Sequence, residues 1–310
     1  MTLPGNRMEH QAAFYRGHDE LLDVVVPFME EGLTTGEATV AVATEDTVAM
    51  LKSALGGARA LAVLDAEEVF TRPIDALAAY RSVTEAELDA GAGRVRLLAE
   101  VVPHAMSGWE RWAWLEAASN RVLAGLPLSA LCLYDEQALP EAVLEVGRRT
   151  HPRVYTGTSV ADNDDFVPPE RLLGAVVRRE LGAVPARAPD LYVSDVPDVR
   201  TARWTLEHFL MGLPGSRAED VVGAVSELLT NALGHGRPPV TLDVWLEGPT
   251  LVSVVGDAGP GISDPMAGYA PPGGPLAGSG LWLARHLVDH LTFGRQDGRF
   301  TVLVETRKPG

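Results

Sequence analysis

The chain contains 310 residues, 46% of them hydrophobic, and carries a net charge of −16 at neutral pH. This length exceeds what one hydrophobic core usually serves, so two domains are expected. The acidic balance, with no basic stripe or helix-turn-helix signature, argues against direct nucleic-acid binding, and no apolar run approaches the roughly 20 residues of a membrane span. Because the N-terminus also lacks an apolar signal core, we expect a cytoplasmic protein with no membrane association.

In the first half of the chain, short β-rich runs alternate with helical segments. The alternation predicts a mainly parallel sheet with helices on its faces. The β-rich runs are 38–44, 61–64, 94–101 and 128–134, and apolar residues recur at helical spacing in 21–31, 46–55, 74–90, 109–124 and 139–149. Cys132, the only cysteine, can form neither an intrachain disulfide nor a thiolate cluster for zinc, so we interpret it as a small buried apolar residue.

The domain boundary is placed near residues 165 to 190. We divide the chain into an N-terminal domain at 1–165, a connector at 166–185 and a C-terminal domain at 186–310. Pro168-Pro169 opens a predicted helix in the connector, and this helix could pack on either domain.

Past the connector, the order of elements changes. Helices are predicted at 201–213 and 217–233, then strands at 240–246 and 251–255, a glycine-rich loop and a helix at 280–290. A hairpin around Asp297-Gly298 follows. This order predicts an α+β layer in which helices cover an antiparallel or mixed sheet.

Three features of the C-terminal domain stand out. Glu227 and Asn231 are four residues apart on the polar face of a predicted helix. Asp257 leaves an apolar strand for a turn containing Gly259 and Gly261. The glycine-rich loop then ends at a helix start near Gly280, where free amides and the helix dipole favour phosphate oxygens. Taken singly, these features are an ordinary solvated helix edge, a turn and a linker.

In this order and spacing, the three features resemble the motifs of GHKL ATPases, and most closely those of the anti-sigma-factor kinases. The resemblance implies a Bergerat-type α+β sandwich that binds ATP and Mg²⁺. The matching segments are Glu227-Leu228-Leu229-Thr230-Asn231-Ala232 with His235-Gly236 (the N box), Asp257-Ala258-Gly259-Pro260-Gly261 (the first glycine box) and Gly278-Ser279-Gly280-Leu281 (the second glycine box).

The resemblance also implies a role for each residue. Glu227 would be the catalytic carboxylate, and Asn231 would ligate Mg²⁺, a cation that prefers oxygen donors. Asp257 would accept the adenine amino hydrogen, and Gly259 and Gly261 would let the backbone approach the base. The amides that would wrap the phosphates are those of Gly278, Ser279, Gly280 and Leu281.

The second half departs from this family at two positions. Many relatives carry basic residues where this chain has Gly234 and Ser279. The loss of positive charge would slow phosphotransfer unless Arg237 or Arg285 substitutes. His235 is interpreted as a residue that caps or packs the helix end.

The first half resembles the MEDS sensory domain, which implies a RecA-like α/β fold and a sensory role for a small-molecule signal. The resemblance rests on His18-Asp19-Glu20-Leu21-Leu22, 26–33, Gly36-Glu37-Ala38, Leu131-Cys132-Leu133-Tyr134-Asp135 and Thr150-His151-Pro152. Compared with a phosphate-binding loop, 32–39 has the wrong spacing and Glu37 in place of lysine, so no ATP site is expected there. Glu100 and His151 are candidate site residues, with structural roles as the alternative.

Three functions remain open at this point. The first is a serine/threonine kinase of the anti-sigma type, which binds a sigma factor and phosphorylates a STAS-type antagonist protein. The second is a sensor histidine kinase, although the connector contains no histidine and the nearest phosphoacceptor-like segment, at His18, lacks the Thr-Pro. The third is a non-catalytic switch shaped by ATP occupancy. The oligomeric state, including a homodimer, is left open.

Overall fold

The computed structural model describes residues 7–57, 61–102, 109–181, 184–211, 217–270 and 279–307. The chain divides into two compact units, Met1–Pro169 and Glu170–Gly310. Among the described residues, no helix is both long enough and apolar enough to cross a bilayer.

The N-terminal unit is built on a seven-stranded sheet in the order β3-β2-β4-β5-β1-β6-β7. All neighbouring strands are parallel except β6 and β7, so the predicted RecA-like α/β architecture is confirmed. Its elements are β1 (Glu9–Tyr15), α1 (Gly17–Thr35), β2 (Ala38–Ala43), α2 (Glu45–Ala54), β3 (Leu61–Asp65), α3 (Ala66–Val69), α4 (Pro73–Asp89), β4 (Val95–Glu100), α5 (Trp109–Val122), β5 (Leu128–Asp135), α6 (Glu141–Thr150), β6 (Arg153–Tyr155) and β7 (Val160–Asp162).

The alternation of side chains along the strands gives this sheet two different faces. Leu131 and Leu133 of β5 join Phe28 and Met29 of α1 in one apolar cluster. The intervening residues of β5, including Cys132, point to the opposite face. Cys132 is buried there, as expected.

Segment 32–39 occupies a different place in the fold from a phosphate-binding loop. Such loops follow the carboxyl end of a strand, whereas 32–39 runs from the end of α1 into β2 and so lies at a strand's amino end. Glu37 in this segment binds Arg96, with 2.7 Å between Oε2 and Nε. The connection after β1 is Arg16 alone, which is too short to cradle a phosphate chain.

The C-terminal unit carries a five-stranded sheet in the order β11-β12-β10-β9-β8. Every described pairing in it is antiparallel, so of the two predicted sheet types, antiparallel and mixed, the antiparallel one is observed. Its elements are α7 (Pro169–Leu181), β8 (Leu191–Val193), α8 (Val199–Leu210), α9 (Ala218–His235), β9 (Thr241–Glu247), β10 (Thr250–Asp257), α10 (Ser279–Leu287), β11 (His290–Gln296) and β12 (Arg299–Arg307).

Helices α8, α9 and α10 cover one face of this sheet and form the main core with it. Leu206, Leu228 and Ala284 meet Leu242 and Val255 of the strands in one buried cluster. On the other face, Leu181 at the end of α7 packs with Trp245, Val252, Val254 and Leu303. The predicted connector helix therefore packs on the C-terminal sheet through its last residue.

Candidate functional site

Helix α9 positions the first two candidate residues. Its apolar side, which includes Val225 and Leu228, is buried in the core, and Glu227 and Asn231 are partly buried on another side. A Cβ atom placed on Gly280 would lie 2.7 Å from Glu227 Oε2 and 3.5 Å from Asn231 Nδ2. The structure thus brings Glu227 and Asn231 directly against the start of α10.

The start of α10 offers backbone amides at this contact. Ser279, Gly280 and Leu281 are the first residues of the helix, and amides in a first turn have no partner within their own helix. The Leu281 side chain is buried in the core and fixes the turn in place. The positive end of the helix dipole adds to the attraction for anions. Gly278 lies outside the described residues.

Asp257 is held at the end of β10, where it is 5% exposed. Its Oδ1 accepts hydrogen bonds from the amides of Gly259 (2.6 Å) and Arg237 (3.3 Å). No described residue donates to Oδ2. A Cβ at Gly236 or Gly259 would lie 2.5 or 2.6 Å from Asp257 Oδ1, so the carboxylate ties this turn to the end of α9 where only glycine fits.

The first glycine box is fixed from the strand side. Gly261 has φ +74°, and a Cβ there would lie 2.2 Å from the Phe300 ring. Arg295 Nη2 donates to the carbonyl oxygens of Gly259 (2.8 Å) and Pro260 (3.2 Å). No local sequence pattern predicts these hydrogen bonds, because Arg295 is more than thirty residues away from the glycine box along the chain.

The two arginines considered as replacements for the missing basic residues differ in their surroundings. Arg285 is 5% exposed and donates to the carbonyls of Ala267 (3.2 Å) and Leu291 (2.7 Å), with its guanidinium 4.0 Å from the Tyr269 ring centroid. Its contacts are those of a structural residue, so the idea that Arg285 substitutes near the phosphates is wrong. Arg237 is exposed, and within the described part of the chain its guanidinium has no partner.

Of the remaining candidates, Glu100 and His151 make structural contacts, whereas the interpretation of His235 as a capping or packing residue finds no contact among the described residues. His235 is exposed at the last position of α9. Glu100 Oε2 accepts from the amide (2.8 Å) and hydroxyl (2.9 Å) of Thr44, the residue that caps α2. His151 is fully buried and binds the Gly147 carbonyl through Nδ1 at 2.8 Å.

Each of the two units matches a known protein family. Residues 9–152 match the model of the MEDS domain, the methanogen/methylotroph, DcmR sensory domain. Residues 192–305 match the model of the histidine kinase-like ATPase domain. No curated protein matches the chain.

Two solved structures are similar to part of this chain. The RsbU and RsbW domains of a Mycobacterium tuberculosis protein are 25% identical over 39% of this chain and 33% of theirs, with a TM-score of 0.28. The Acinetobacter baumannii histidine kinase AdeS is 12% identical over 47% of this chain and 89% of its own, with a TM-score of 0.27. The match spans about a third of the length of the first of these structures.

Proposed function

We propose that this chain, which joins an N-terminal MEDS domain to a C-terminal histidine kinase-like ATPase domain, is an ATP-dependent serine/threonine protein kinase of the anti-sigma type. The observation that carries the proposal is the contact between the start of α10 and the pair Glu227 and Asn231. An amide-rich helix end, a carboxylate and a carboxamide there converge on one point.

The described residues fit MgATP. At one end of the site, Asp257 presents an oxygen without a protein donor, beside glycines that leave no room for a side chain. This end suits the adenine amino group. At the other end, the first-turn amides of α10 suit phosphate oxygens, and the Asn231 side-chain oxygen suits a hard divalent cation. When bound, MgATP supplies the phosphoryl group that is transferred.

Glu227 is placed to act on the acceptor. Its carboxylate faces the start of α10, and no described residue forms a hydrogen bond or ion pair with it. A carboxylate in this position can orient an acceptor hydroxyl and accept its proton, a contribution of about 10²- to 10⁴-fold in rate. Asn231, one helical turn further on, holds the metal side of the site.

The acceptor is proposed to be a hydroxyl of another protein rather than a histidine of this chain. No histidine occurs between His151 and His208, so the segment directly before the ATPase domain offers no phosphoacceptor. His151 itself is fully buried. By the resemblance to anti-sigma-factor kinases, the acceptor would be a STAS-type antagonist, and the protein held and released would be a sigma factor.

The test is to incubate the full-length protein with labelled ATP and candidate antagonists, and then to treat the products with acid. Phosphoserine keeps its label in acid and phosphohistidine loses it. Two variants separate the steps. Glu227→Gln is expected to slow transfer about 100-fold with little change in ATP affinity, and Asn231→Asp is expected to weaken MgATP binding by adding a charge beside the triphosphate.

The outcomes distinguish the three functions. Acid-labile label would support a histidine kinase. Tight ATP binding with no transfer to any antagonist would support the non-catalytic switch, which the lack of basic side chains at Gly234 and Ser279 favours. Unchanged MgATP affinity in a folded Asn231→Asp variant would remove Asn231 from the metal site.

A further inference from the structure

Four potential metal ligands meet inside the N-terminal unit. His10 lies on β1, Cys132 on the neighbouring strand β5, Glu116 on α5, and His151 directly after α6. All four are buried, and one ligand atom from each lies within 4.8 Å of the others. The cluster lies on the face of the N-terminal sheet opposite the α1 cluster.

Hydrogen bonds orient both imidazoles toward the cluster. The Asn120 amide nitrogen donates to the carbonyls of Glu116 (3.2 Å) and Thr150 (2.7 Å), so its Oδ1 is the acceptor for His10 Nδ1 at 3.1 Å. His151 Nδ1 donates to the Gly147 carbonyl. With both Nδ1 atoms protonated, the two Nε2 lone pairs point inward, and metal-binding histidines are commonly held in this way.

Three of the six separations between ligand atoms are close to those of a tetrahedral site, and all six are within 4.8 Å. His10 Nε2 lies 3.6 Å from Cys132 Sγ and 3.7 Å from Glu116 Oε2, and His151 Nε2 lies 3.6 Å from the same carboxylate oxygen. Zinc bonds of about 2.0 to 2.3 Å at tetrahedral angles require separations of about 3.3 to 3.6 Å. An ion would therefore bind after side-chain shifts of up to about 1 Å, which bring the four ligand atoms to these separations.

One buried nitrogen of the cluster lacks a hydrogen-bond partner, whereas His10 Nε2 is paired with Cys132 Sγ at 3.6 Å. His151 is fully buried, and its Nε2 has no hydrogen-bond partner in the described part of the chain. The carboxylate of Glu116 and the sulfur of Cys132 are buried beside this nitrogen. A divalent cation bound by one thiolate, one carboxylate and two neutral imidazoles would leave the site with no net charge.

We propose that the MEDS domain of this chain binds one Zn²⁺ ion through His10, Glu116, Cys132 and His151. Mixed nitrogen, sulfur and oxygen ligands in a tetrahedron suit zinc, whereas Mg²⁺ and Ca²⁺ prefer oxygen ligands alone. Glu116 also lines a partly open apolar pocket with Phe70, Trp112 and Tyr134.

The test uses the full-length protein. We expect elemental analysis of protein purified without chelator to find about one zinc per chain. After stripping with a chelator, titration with Co²⁺ should give the intense visible bands of a tetrahedral site and a thiolate-to-cobalt charge-transfer band. Added Zn²⁺ should displace the cobalt.

Variants identify the ligands. Cys132→Ser should abolish the charge-transfer band and weaken Zn²⁺ binding about 100-fold or more, and His151→Gln should weaken it by a similar factor. His18→Ala, which removes an exposed histidine of the same unit, is the matched control and should bind as wild type. Circular dichroism reports whether each variant folds.

The proposal is overturned if the stripped, folded wild type takes up neither Co²⁺ nor Zn²⁺, a result that needs no variant. It is equally overturned if the charge-transfer band persists in Cys132→Ser, or if His18→Ala weakens binding as much as the cluster variants do. The cluster would then be a hydrogen-bonded polar core. None of these measurements depends on ATP or phosphotransfer, so the outcome is independent of the proposed kinase activity.

Discussion

Replacing Gly280 by alanine tests whether the start of α10 positions Glu227. The new Cβ would lie 2.7 Å from Glu227 Oε2, whereas ordinary contacts begin near 3.4 Å. The carboxylate must therefore retreat by about 0.7 Å, and a displacement of about 1 Å in a catalytic group can cost about 10²-fold in rate. We expect turnover in Gly280→Ala to fall by about 10- to 100-fold.

The free energy of unfolding of Gly280→Ala should rise slightly or stay unchanged. The crowded atom is the end of a flexible side chain, which can move at little cost, and alanine is favoured over glycine in a helix by up to about 1 kcal/mol. Gly234→Ala is the matched control, since Gly234 lies in α9 and a Cβ there would meet nothing within 4 Å. It should keep wild-type turnover.

The assay is single-turnover phosphotransfer, measured together with thermal unfolding and calorimetric ATP titration. Wild-type turnover in a folded Gly280→Ala variant would refute the contact between α10 and Glu227 as a determinant of rate. A loss of turnover that merely follows a fall in melting temperature would refute the argument as well, because the effect would then be one of folding.

Two further expectations concern the first glycine box. Asp257→Asn keeps an oxygen for the Gly259 amide but puts an N–H₂ donor where Oδ2 was. ATP affinity should therefore fall about 10- to 100-fold in calorimetric titration while the fold is retained. Unchanged affinity would mean that adenine binds elsewhere. Gly261→Ala combines a positive φ with a 2.2 Å approach to Phe300 and should lower the free energy of unfolding by about 2 to 4 kcal/mol in urea titration. Gly248→Ala, with φ +55° and open space, should cost only about 1 to 2 kcal/mol, and equal losses in both variants would contradict the packing argument.

Local sequence signals predicted much of the fold. The apolar runs at 94–101 and 128–134 became β4 and β5 with bounds within a residue or so, because buried parallel strands are continuously apolar. Strand β1 was missed, since its polar residues His10 and Gln11 are buried rather than exposed. A polar residue in a short segment does not reveal that a distant helix will supply its partner.

The two candidate sites differ in how far the sequence reveals them. The residues proposed for the ATP site lie in segments of fixed spacing, so the motifs could be identified from the sequence alone. The metal cluster has no such spacing, because His10, Glu116 and Cys132 come from three elements that only the sheet order brings together. His151 alone does not indicate a metal site, and the lack of a second cysteine argues against one at Cys132, although imidazole and carboxylate groups can complete the ligand set.

Helix α9 links the two ends of the proposed nucleotide site. Glu227 lies in its middle, and the Arg237 amide just beyond its end holds Asp257. At 1.5 Å per residue, the axial distance from Glu227 to Gly236, the residue that follows the helix, is about 13.5 Å, comparable to the span of an extended nucleoside triphosphate. The helix therefore sets the distance between the two ends of the proposed site. A single residue inserted between these points would lengthen the helix and turn one end by about 100° relative to the other. The protein could then bind the base or the terminal phosphate, but not both at once.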